Sequence, residues 1–274
     1  MKKINRRSFL AAAGLTAAAL ALTACGGSAS STASSTASSA ASSTSAAAEL
    51  TTVEAGKLTM ATNATFPPYE MTTDSGEIEG IDVDTAKAIA EKLGLELQID
   101  DMEFDAALLS VQQGKADIVM AGVTVTDERK AVMDFSDSYA TGIQSIIVPN
   151  DSDIASPDDL AGKKIGTQRG TTGYIYCSDD FGEDSVVAYD SGLTAVQALN
   201  NGQVDAVVID NAPATEYVAA NPGLKVLDTS YAEEDYAIGM AKGSALEDAV
   251  NKALEELKAD GTLQAIVDKY INAN

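Results

Sequence analysis

The chain has 274 residues, with 18 Lys and Arg against 41 Asp and Glu, a formal net charge of −23, and neither His nor Trp. This acidity makes nucleic acid and anionic lipid surfaces poor partners. The lack of His excludes His-based catalytic triads and His-ligated metal sites, and we expect neither a cofactor nor a metal.

The first 24 residues predict an export signal. Four basic residues among the first seven precede an uncharged run, residues 8–24, which is a secretory pattern. Leu22-Thr23-Ala24-Cys25 resembles a bacterial lipobox, and this resemblance implies cleavage before Cys25, lipid on Cys25, and an extracytoplasmic protein anchored to the cell membrane. An ordinary signal peptide is the alternative. Arg6-Arg7 also resembles part of a twin-arginine signal, but adjacent arginines leave the export route, general secretory or twin-arginine, open.

Residues 25–56 are predicted to be the lipidated cysteine and a flexible tether. Most of this segment consists of Ser, Ala, Thr and Gly. Such a composition cannot bury enough apolar surface to offset the loss of chain entropy on folding.

From Lys57 onward, short apolar runs alternate with amphipathic ones, which predicts an α/β fold with mostly parallel sheets. The predicted strands are Lys57–Ala61, Leu95–Ile99, Asp117–Ala121, Ile143–Val148, Lys164–Thr167, Val186–Tyr189, Ala206–Asp210 and Tyr236–Ala241. The predicted helices are Asp84–Leu93 with Asp84 as the N-cap and Gly94 as the stop, Phe104–Gln113, a turn after Ser156, a helix opened by Gly170–Gly173, Thr194–Asn201, Asn211–Ala220, Ala245–Ala259 and Thr262–Ile271.

Two stretches repeat one scheme of helix, glycine and strand. One runs from Phe104 to Val119 and the other from Leu193 to Val207, and each strand ends at a polar corner, Gly122-Val123-Thr124 or Asp210-Asn211. Ligands of open α/β sheets bind at the carboxyl ends of the strands. The repeat therefore predicts two lobes whose corners face each other across a cleft.

The corners carry opposite charges. Arg129 presents a planar fork suited to a carboxylate, although a surface pair with Asp127 or Glu128 is the alternative. The helix after Gly170–Gly173 offers free N–H groups to an anion. Asp210 could hold an ammonium group or cap the next helix. One carboxylate and one ammonium are the groups of a free α-amino acid.

In combination these motifs resemble the family 3 solute-binding proteins of ABC importers, which bind polar amino acids. The motifs that carry the resemblance are Ala61–Glu70, Gly80–Asp84, Met102–Asp105, Gly122–Arg129, Asp134–Tyr139, Gly170–Gly173 and Val204–Asp210. The resemblance implies a two-lobed periplasmic-binding-protein type II fold with two crossing segments that closes on its ligand. Lobe 1 would comprise residues 57–146 and 235–274, lobe 2 residues 147–234, and the crossings would lie near Ser145–Pro149 and Asp228–Asp235.

The same resemblance implies a role for each site residue. Arg129 would take the α-carboxylate, with the backbone N–H groups of Thr124 and Thr172 and the adjacent Thr171. The α-ammonium would meet Asp210, the Gly122 carbonyl and the Thr124 hydroxyl. The ligand side chain would lie between Phe66 and Phe104, flanked by Tyr69. Asn63 and Gln168 would contact the end of that side chain.

Asn63 departs from the pattern of relatives selective for basic amino acids, which often have an acidic residue there. An amide offers no full charge, so the sequence favours a polar uncharged ligand such as glutamine or cystine. A basic amino acid remains possible if Glu70 or Asp105 compensates.

The predicted function is that of an extracytoplasmic substrate-binding lipoprotein, monomeric and not an enzyme, that captures a free polar amino acid and delivers it to the membrane subunits of an ABC importer. A periplasmic dehydratase-like enzyme of the cyclohexadienyl dehydratase class is the main alternative, with Glu70 or Asp105 as its general acid. A sensor domain is a third.

Overall fold

The structure is a computed structural model that describes residues 50–271. The predicted signal segment, Cys25 and most of the predicted tether lie outside these residues. Residues 50–56, which the sequence assigned to the tether, belong to the folded part: Leu50 packs against the hydrophobic core, and the Val53 N–H donates to Asp117 Oδ1 at 2.8 Å. The folded part therefore includes Leu50, upstream of the predicted start at Lys57.

Strands and helices alternate through most of the described residues. The strands are β1 (Lys57–Thr62), β2 (Thr65–Phe66), β3 (Glu70–Thr72), β4 (Ile78–Glu79), β5 (Glu96–Asp101), β6 (Ile118–Val119), β7 (Met133–Phe135), β8 (Ala140–Pro149), β9 (Ile165–Gln168), β10 (Val186–Tyr189), β11 (Ala206–Asp210), β12 (Leu224–Val226), β13 (Ala232–Tyr236) and β14 (Gly239–Ala241). The helices are α1 (Ile81–Leu93), α2 (Phe104–Gln112), α3 (Asp127–Val132), α4 (Thr172–Phe181), α5 (Gly192–Asn200), α6 (Asn211–Ala219), α7 (Glu247–Ala259) and α8 (Thr262–Tyr270), with 3-10 turns at Pro157–Leu160 and Glu183–Ser185.

Two sheets repeat one strand arrangement, as the sequence repeat predicts. The first sheet has the order β5-β1-β6-β14-β7, and the second has the order β10-β9-β11-β8-β12 with β13 also paired to β8. In each sheet three parallel strands are followed by antiparallel ones, so both sheets are mixed. Because β6 and β11 are equivalent strands, the corners that follow them carry equivalent positions.

The chain passes between the sheets along the antiparallel pair β8 and β13, from Ala140 opposite Tyr236 to Gln144 opposite Ala232. The crossing predicted at Ser145–Pro149 therefore lies a few residues too late. The β8 residues from Gln144 to Ile147 already pair with β11 in the second sheet, and those from Ile147 to Pro149 pair with β12. The side chains of Ile146, Ile147 and Val148 are completely buried there, and an uninterrupted apolar run is typical of a strand covered on both faces.

Two further sequence predictions differ from the structure. Gly80, not Asp84, is the N-cap of α1, because the N–H groups of Ile81 and Asp82 donate to the carbonyls of Pro68 and Tyr69 and begin the helix earlier. The strand predicted at Tyr236–Ala241 is two strands, β13 and β14, because the chain changes sheets between them.

The C-terminal helices return to the first sheet. Both α7 and α8 pack against α1, and the buried face of α7 includes Val250, Leu254 and Leu257. In the part of the chain that the structure describes, no helix is long and apolar enough to cross a membrane.

Candidate ligand-binding site

A cavity lies between the two sheets, where the corners after β6 and β11 face each other. Its lining comprises Asn63, Phe66, Glu70, Phe104, Ala121, Gly122, Thr124, Arg129, Gln168, Thr171, Thr172 and Asp210. Every predicted site residue except Tyr69 is present. Tyr69 lines a neighbouring cavity, where its ring meets Tyr236 edge-on and stacks against Phe66.

Arg129 supplies the positive charge of the cavity. Thr126 caps α3, since its hydroxyl accepts the Arg129 N–H at 3.2 Å. The guanidinium donates to the carbonyl of Thr124 at 2.7 Å and to that of Gly170 at 3.1 Å, and it lies 5.4 Å from the centre of the Phe104 ring. No ion pair of Arg129 is found among the described residues, so the surface pair considered from the sequence does not form.

In the described part of the chain, the charge of Arg129 has negative groups nearby but none within ion-pairing distance. The Arg129 side chain is buried, and desolvation lowers the pKa of its guanidinium while Glu234 opposes the change. A guanidinium retains its charge in proteins even so. Its remaining donors, on a fork fixed by two carbonyls, suit a carboxylate.

The N-terminus of α4 faces the cavity from the second lobe. Thr171 is the N-cap of α4 and its hydroxyl accepts the Tyr174 N–H at 3.3 Å. Thr172, the first residue of α4, is buried, and its hydroxyl oxygen lies 3.5 Å from that of Thr124 in the first lobe. The positive end of the helix dipole therefore adds to the field of Arg129 and favours an anion in this half of the cavity.

Asp210 supplies the negative charge. It ends β11 and precedes α6, but its side chain makes no cap hydrogen bond to that helix. Its carboxylate instead accepts from Gln144 Nε2 at 2.8 Å and from the Tyr236 hydroxyl. Burial, aided by the charge of Glu234, raises the pKa of Asp210 to about 7. An ammonium group in the cavity would stabilise its ionised form.

Gly122 joins β6 to the first corner and requires glycine. Its φ is +55°, and a Cβ built there would lie 2.8 Å from Phe66 Cε1. Its N–H donates at 2.9 Å to the buried carboxylate of Asp82, which also accepts from the Tyr139 hydroxyl at 2.7 Å. The backbone thus approaches the Phe66 ring closely, and Phe66 and Phe104, both buried, form the apolar part of the cavity.

Asn63 and Gln168 meet across the cleft. Gln168 Nε2 donates to Asn63 Oδ1 at 2.9 Å, and Asn63 Nδ2 donates to the Met102 carbonyl at 2.8 Å. The Thr65 hydroxyl donates to the same Asn63 oxygen at 2.9 Å. Much of the hydrogen-bonding capacity of Asn63 is therefore used within the protein in this conformation.

Glu70 is an acidic group in the cavity that the predicted site set does not include. Its side chain is completely buried, and neither carboxylate oxygen accepts a hydrogen bond from an N–H or O–H of the described residues. Burial, and then the neighbouring charge of Asp82, raise its pKa well above the ordinary value. A hydrogen bond between Glu70 and Asp82 contributes to the same shift, and a cation beside Glu70 would stabilise its ionised form.

Glu234 and Gln144, on the crossing strands, contact the site without lining the cavity and were not found from the sequence. Glu234 Oε2 accepts from the hydroxyls of Thr124 and Thr172 at 3.0 and 2.9 Å. Glu234 stands in an acidic run that resembles a solvated surface, but alternate residues of β13 are buried. A strand with one buried face buries every second residue, and this periodicity was the signal in the sequence that could have indicated the burial of Glu234.

The family described as bacterial extracellular solute-binding proteins, family 3, matches residues 58–273. The L-cystine-binding protein TcyJ of Escherichia coli strain K12 is 33% identical over 81% of this chain and 85% of its own length. The arginine-binding extracellular protein ArtP of Bacillus subtilis strain 168 is 33% identical over 91% of this chain and 92% of its own.

A solved ancestral arginine-binding protein bound to arginine matches with a TM-score of 0.76 and 43% identity, covering 79% of this chain and 99% of that one. Another structure of an ancestral arginine-binding protein holds glutamine and matches with a TM-score of 0.75. The two lobes thus have the periplasmic-binding-protein type II fold. These relatives are described as binding proteins, which supports the prediction of a binding protein over the enzyme alternative.

Proposed function

We propose that this chain, which belongs to family 3 of the bacterial extracellular solute-binding proteins, captures a free α-amino acid between its lobes and hands it to the membrane subunits of an ABC importer. The observation that carries the proposal is the placement of Arg129 and Asp210, one from each lobe, in a single buried cavity. Two opposite charges on opposite walls match the two charges of a zwitterion.

In this proposal the first lobe recognises the carboxylate and the second completes the site. Arg129 binds the α-carboxylate beside the N-terminus of α4, and Asp210 binds the α-ammonium together with the Gly122 carbonyl and the Thr124 hydroxyl. Because the partners come from both lobes, the ligand stabilises the closed form by its higher affinity for that form.

The proposal places the protein outside the cytoplasm, as its family is, and holds it to the cell membrane through lipid on Cys25. Support for the anchor is the Leu-Thr-Ala-Cys ending of an uncharged segment. Cys25 lies outside the described residues, so this part of the proposal depends on the sequence pattern alone.

For the ligand side chain, Glu70 favours a cationic amino acid such as arginine, lysine or histidine. A buried carboxyl group without a donor is costly when ionised, and a guanidinium or ammonium group would supply the missing partner. Glu70 lines the same cavity as the apolar walls Phe66 and Phe104, which suit the methylene stem of a long basic side chain.

A polar uncharged ligand, glutamine or cystine, is the second candidate, and Asn63 supports it. A neutral amide can exchange hydrogen bonds with an amide or carboxyl tip without leaving a buried charge. The sequence prediction for Asn63 therefore remains open beside the argument from Glu70.

The experiment is a thermal-shift panel of the common amino acids and cystine on protein that has been unfolded, dialysed and refolded to remove bound ligand. A ligand at about 100 times its Kd should add roughly 2.7 kcal/mol of stability. The largest shift from arginine, lysine or histidine supports the cationic candidate, and the largest from glutamine or cystine supports the other. A refolded protein that no amino acid stabilises contradicts the proposal.

A further inference from the structure

A single buried carboxylate joins the two lobes and the crossing strand beside the ligand cavity. Glu234 lies on β13 and is buried, although its neighbours Glu233 and Asp235 are exposed. Its Oε2 atom accepts from the hydroxyl of Thr124 at 3.0 Å, the hydroxyl of Thr172 at 2.9 Å and the Nε2 of Gln144 at 3.1 Å. Thr124 belongs to the first lobe, and Thr172 begins α4 in the second.

We propose that Glu234 is a positioning residue that couples closure of the two lobes to recognition of the ligand α-ammonium. The inference rests on the proposed function, because Thr124 and Asp210 hold that ammonium group there. Glu234 itself does not line the cavity, so it acts through the residues that do.

The hydroxyl protons of Thr124 and Thr172 point toward Glu234. A hydroxyl group has one proton to donate and two lone pairs that accept, while an ionised carboxylate only accepts. Since the hydroxyls of Thr124 and Thr172 both donate to Glu234, their protons point away from the cavity. The Thr124 lone pairs are thereby left for N–H donors, so this wall of the cavity favours an ammonium group and disfavours a second carboxylate.

Gln144 connects Glu234 to Asp210, the acidic group that faces the ligand. Gln144 Nε2 donates to Asp210 Oδ2 at 2.8 Å as well as to Glu234, and it lies 3.4 Å from the Thr172 hydroxyl. The amide nitrogen thus lies between the two carboxylates and fixes the orientation of Asp210. Both carboxylates add negative potential on the side where the ammonium binds.

Glu234 also favours closure of the two lobes. The donors to Glu234 come from both lobes, so separating the lobes would remove at least one of them and leave a buried acceptor without its partner. Hydrogen bonds to an ionised acceptor are roughly twice as strong as neutral ones. Glu234 therefore favours the same closed arrangement that brings Asp210 and Arg129 together.

The test compares amino acids with analogues that lack only the α-amino group. The probes are L-arginine with 5-guanidinopentanoic acid and L-glutamine with glutaramic acid, measured by ligand-observed NMR so that millimolar dissociation constants are accessible. Glu234→Gln should weaken whichever amino acid the wild type binds by about tenfold or more, because three hydrogen bonds lose a charged acceptor. The matching des-amino analogue should lose at least about threefold less affinity than the amino acid, because the effect of Glu234 on closure acts on both ligands and its effect on the ammonium site acts on one.

The control is Glu233→Gln, which removes the same charge from the exposed side of β13 and should change neither affinity. Equal losses for the amino acid and its des-amino analogue indicate a purely structural role and overturn the inference, as does an unchanged affinity. If Glu234→Gln does not fold, the pair Thr172→Val and Thr172→Ser replaces it: only the serine variant keeps the hydroxyl and should retain discrimination for the amino group. Loss of discrimination in both, or in neither, contradicts the inference.

The two proposals fail in different ways. A wild type that binds no amino acid contradicts the proposed function and this inference together. A wild type that binds an amino acid while Glu234→Gln binds it equally well contradicts the role of Glu234 alone.

Discussion

Gln168 in the second lobe donates a 2.9 Å hydrogen bond to Asn63 in the first, and both side chains are buried. The two residues expected to contact the end of the ligand side chain are thus hydrogen-bonded to each other across the cleft. A ligand tip that reaches them must share or replace this bond. A ligand side chain at this end of the cavity therefore competes with the hydrogen bond between Gln168 and Asn63. Ligands that cannot offer an equivalent hydrogen-bonding group bind less tightly.

Arg129→Ala and Asp210→Ala should each weaken amino acid binding by at least about tenfold. Removing one charge leaves the ligand group opposite it buried and unpaired, which costs roughly 2–5 kcal/mol, and one decade of affinity corresponds to about 1.4 kcal/mol. Isothermal titration calorimetry with the amino acid that gives the largest thermal shift measures both variants.

Arg169 and Asp190 are the matched control positions for Arg129 and Asp210. They form a 3.8 Å ion pair at the edge of the cleft, and their side chains are 57% and 76% exposed. Because exposed ion pairs contribute little, about 0–1 kcal/mol, Arg169→Ala and Asp190→Ala should bind nearly as the wild type does. If Arg129→Ala and Asp210→Ala both bind the amino acid with wild-type affinity, these two residues do not hold its carboxylate and ammonium groups.

Glu70→Gln and Asn63→Asp should move side-chain preference in opposite directions. Glu70→Gln removes the buried acidic group and should weaken arginine and lysine relative to glutamine. Asn63→Asp adds a charge beside Gln168 and should strengthen basic ligands by about 1.5–3 kcal/mol, the worth of a charge-assisted hydrogen bond. The thermal-shift panel, repeated on both variants, measures the change.

Glu79→Gln, a half-exposed acidic position on β4, serves as the control for loss of one negative charge. If the thermal shifts from arginine and glutamine keep their wild-type ratio in Glu70→Gln, Glu70 does not recognise the ligand side chain. If the unmodified protein prefers glutamine or cystine, Asn63 is the residue that sets the charge preference.

Amino acid affinity should rise with pH between about 5 and 8. The ligand-free protein holds a proton on Asp210, whose pKa is about 7, and an ammonium partner requires the carboxylate. Below that pKa each pH unit should therefore weaken binding by roughly tenfold. Calorimetry in two buffers of different ionisation enthalpy should detect release of this proton on binding.

The sign for stability is opposite in the absence of ligand. The folded protein keeps a proton on Asp210 between the ordinary value of 3.8 and about 7, while the unfolded chain has lost it. This group therefore makes the free energy of unfolding fall as pH rises through that window. Burial also raises the pKa values of Asp82, to about 6, and of Glu70, so Asp210→Asn should reduce this slope without abolishing it, and a slope equal to that of the wild type assigns the proton to those residues instead.

Cys25→Ser should abolish lipidation and release the protein from membranes, or leave uncleaved precursor, because lipobox processing requires the cysteine thiol. Labelled fatty acid incorporation followed by membrane fractionation measures this. Cys177→Ser is the control: that cysteine is free and buried, and its replacement should not alter lipidation. Incorporation of label by the Cys25→Ser variant contradicts the anchor.

Local pattern determined much of the architecture of this protein. Alternation of apolar and amphipathic runs predicted the α/β class, and β10 and β11 coincide with their predicted bounds. The repeated helix–glycine–strand scheme predicted equivalent strands in two sheets. These features follow from side-chain periodicity and turn residues, which act over a few neighbours and so can be read along the chain.

Only the tertiary structure decided how the site is connected. Glu234 belongs to an acidic run whose composition suggests solvent, yet it is buried between hydroxyls 110 and 62 positions away along the chain. Glu70 begins the short strand β3, and its acidic side chain suggests solvent, yet it is completely buried. Periodicity along a strand indicates which residues face inward, but not which distant residues they contact, because those contacts arise only when the two sheets bring their corners together.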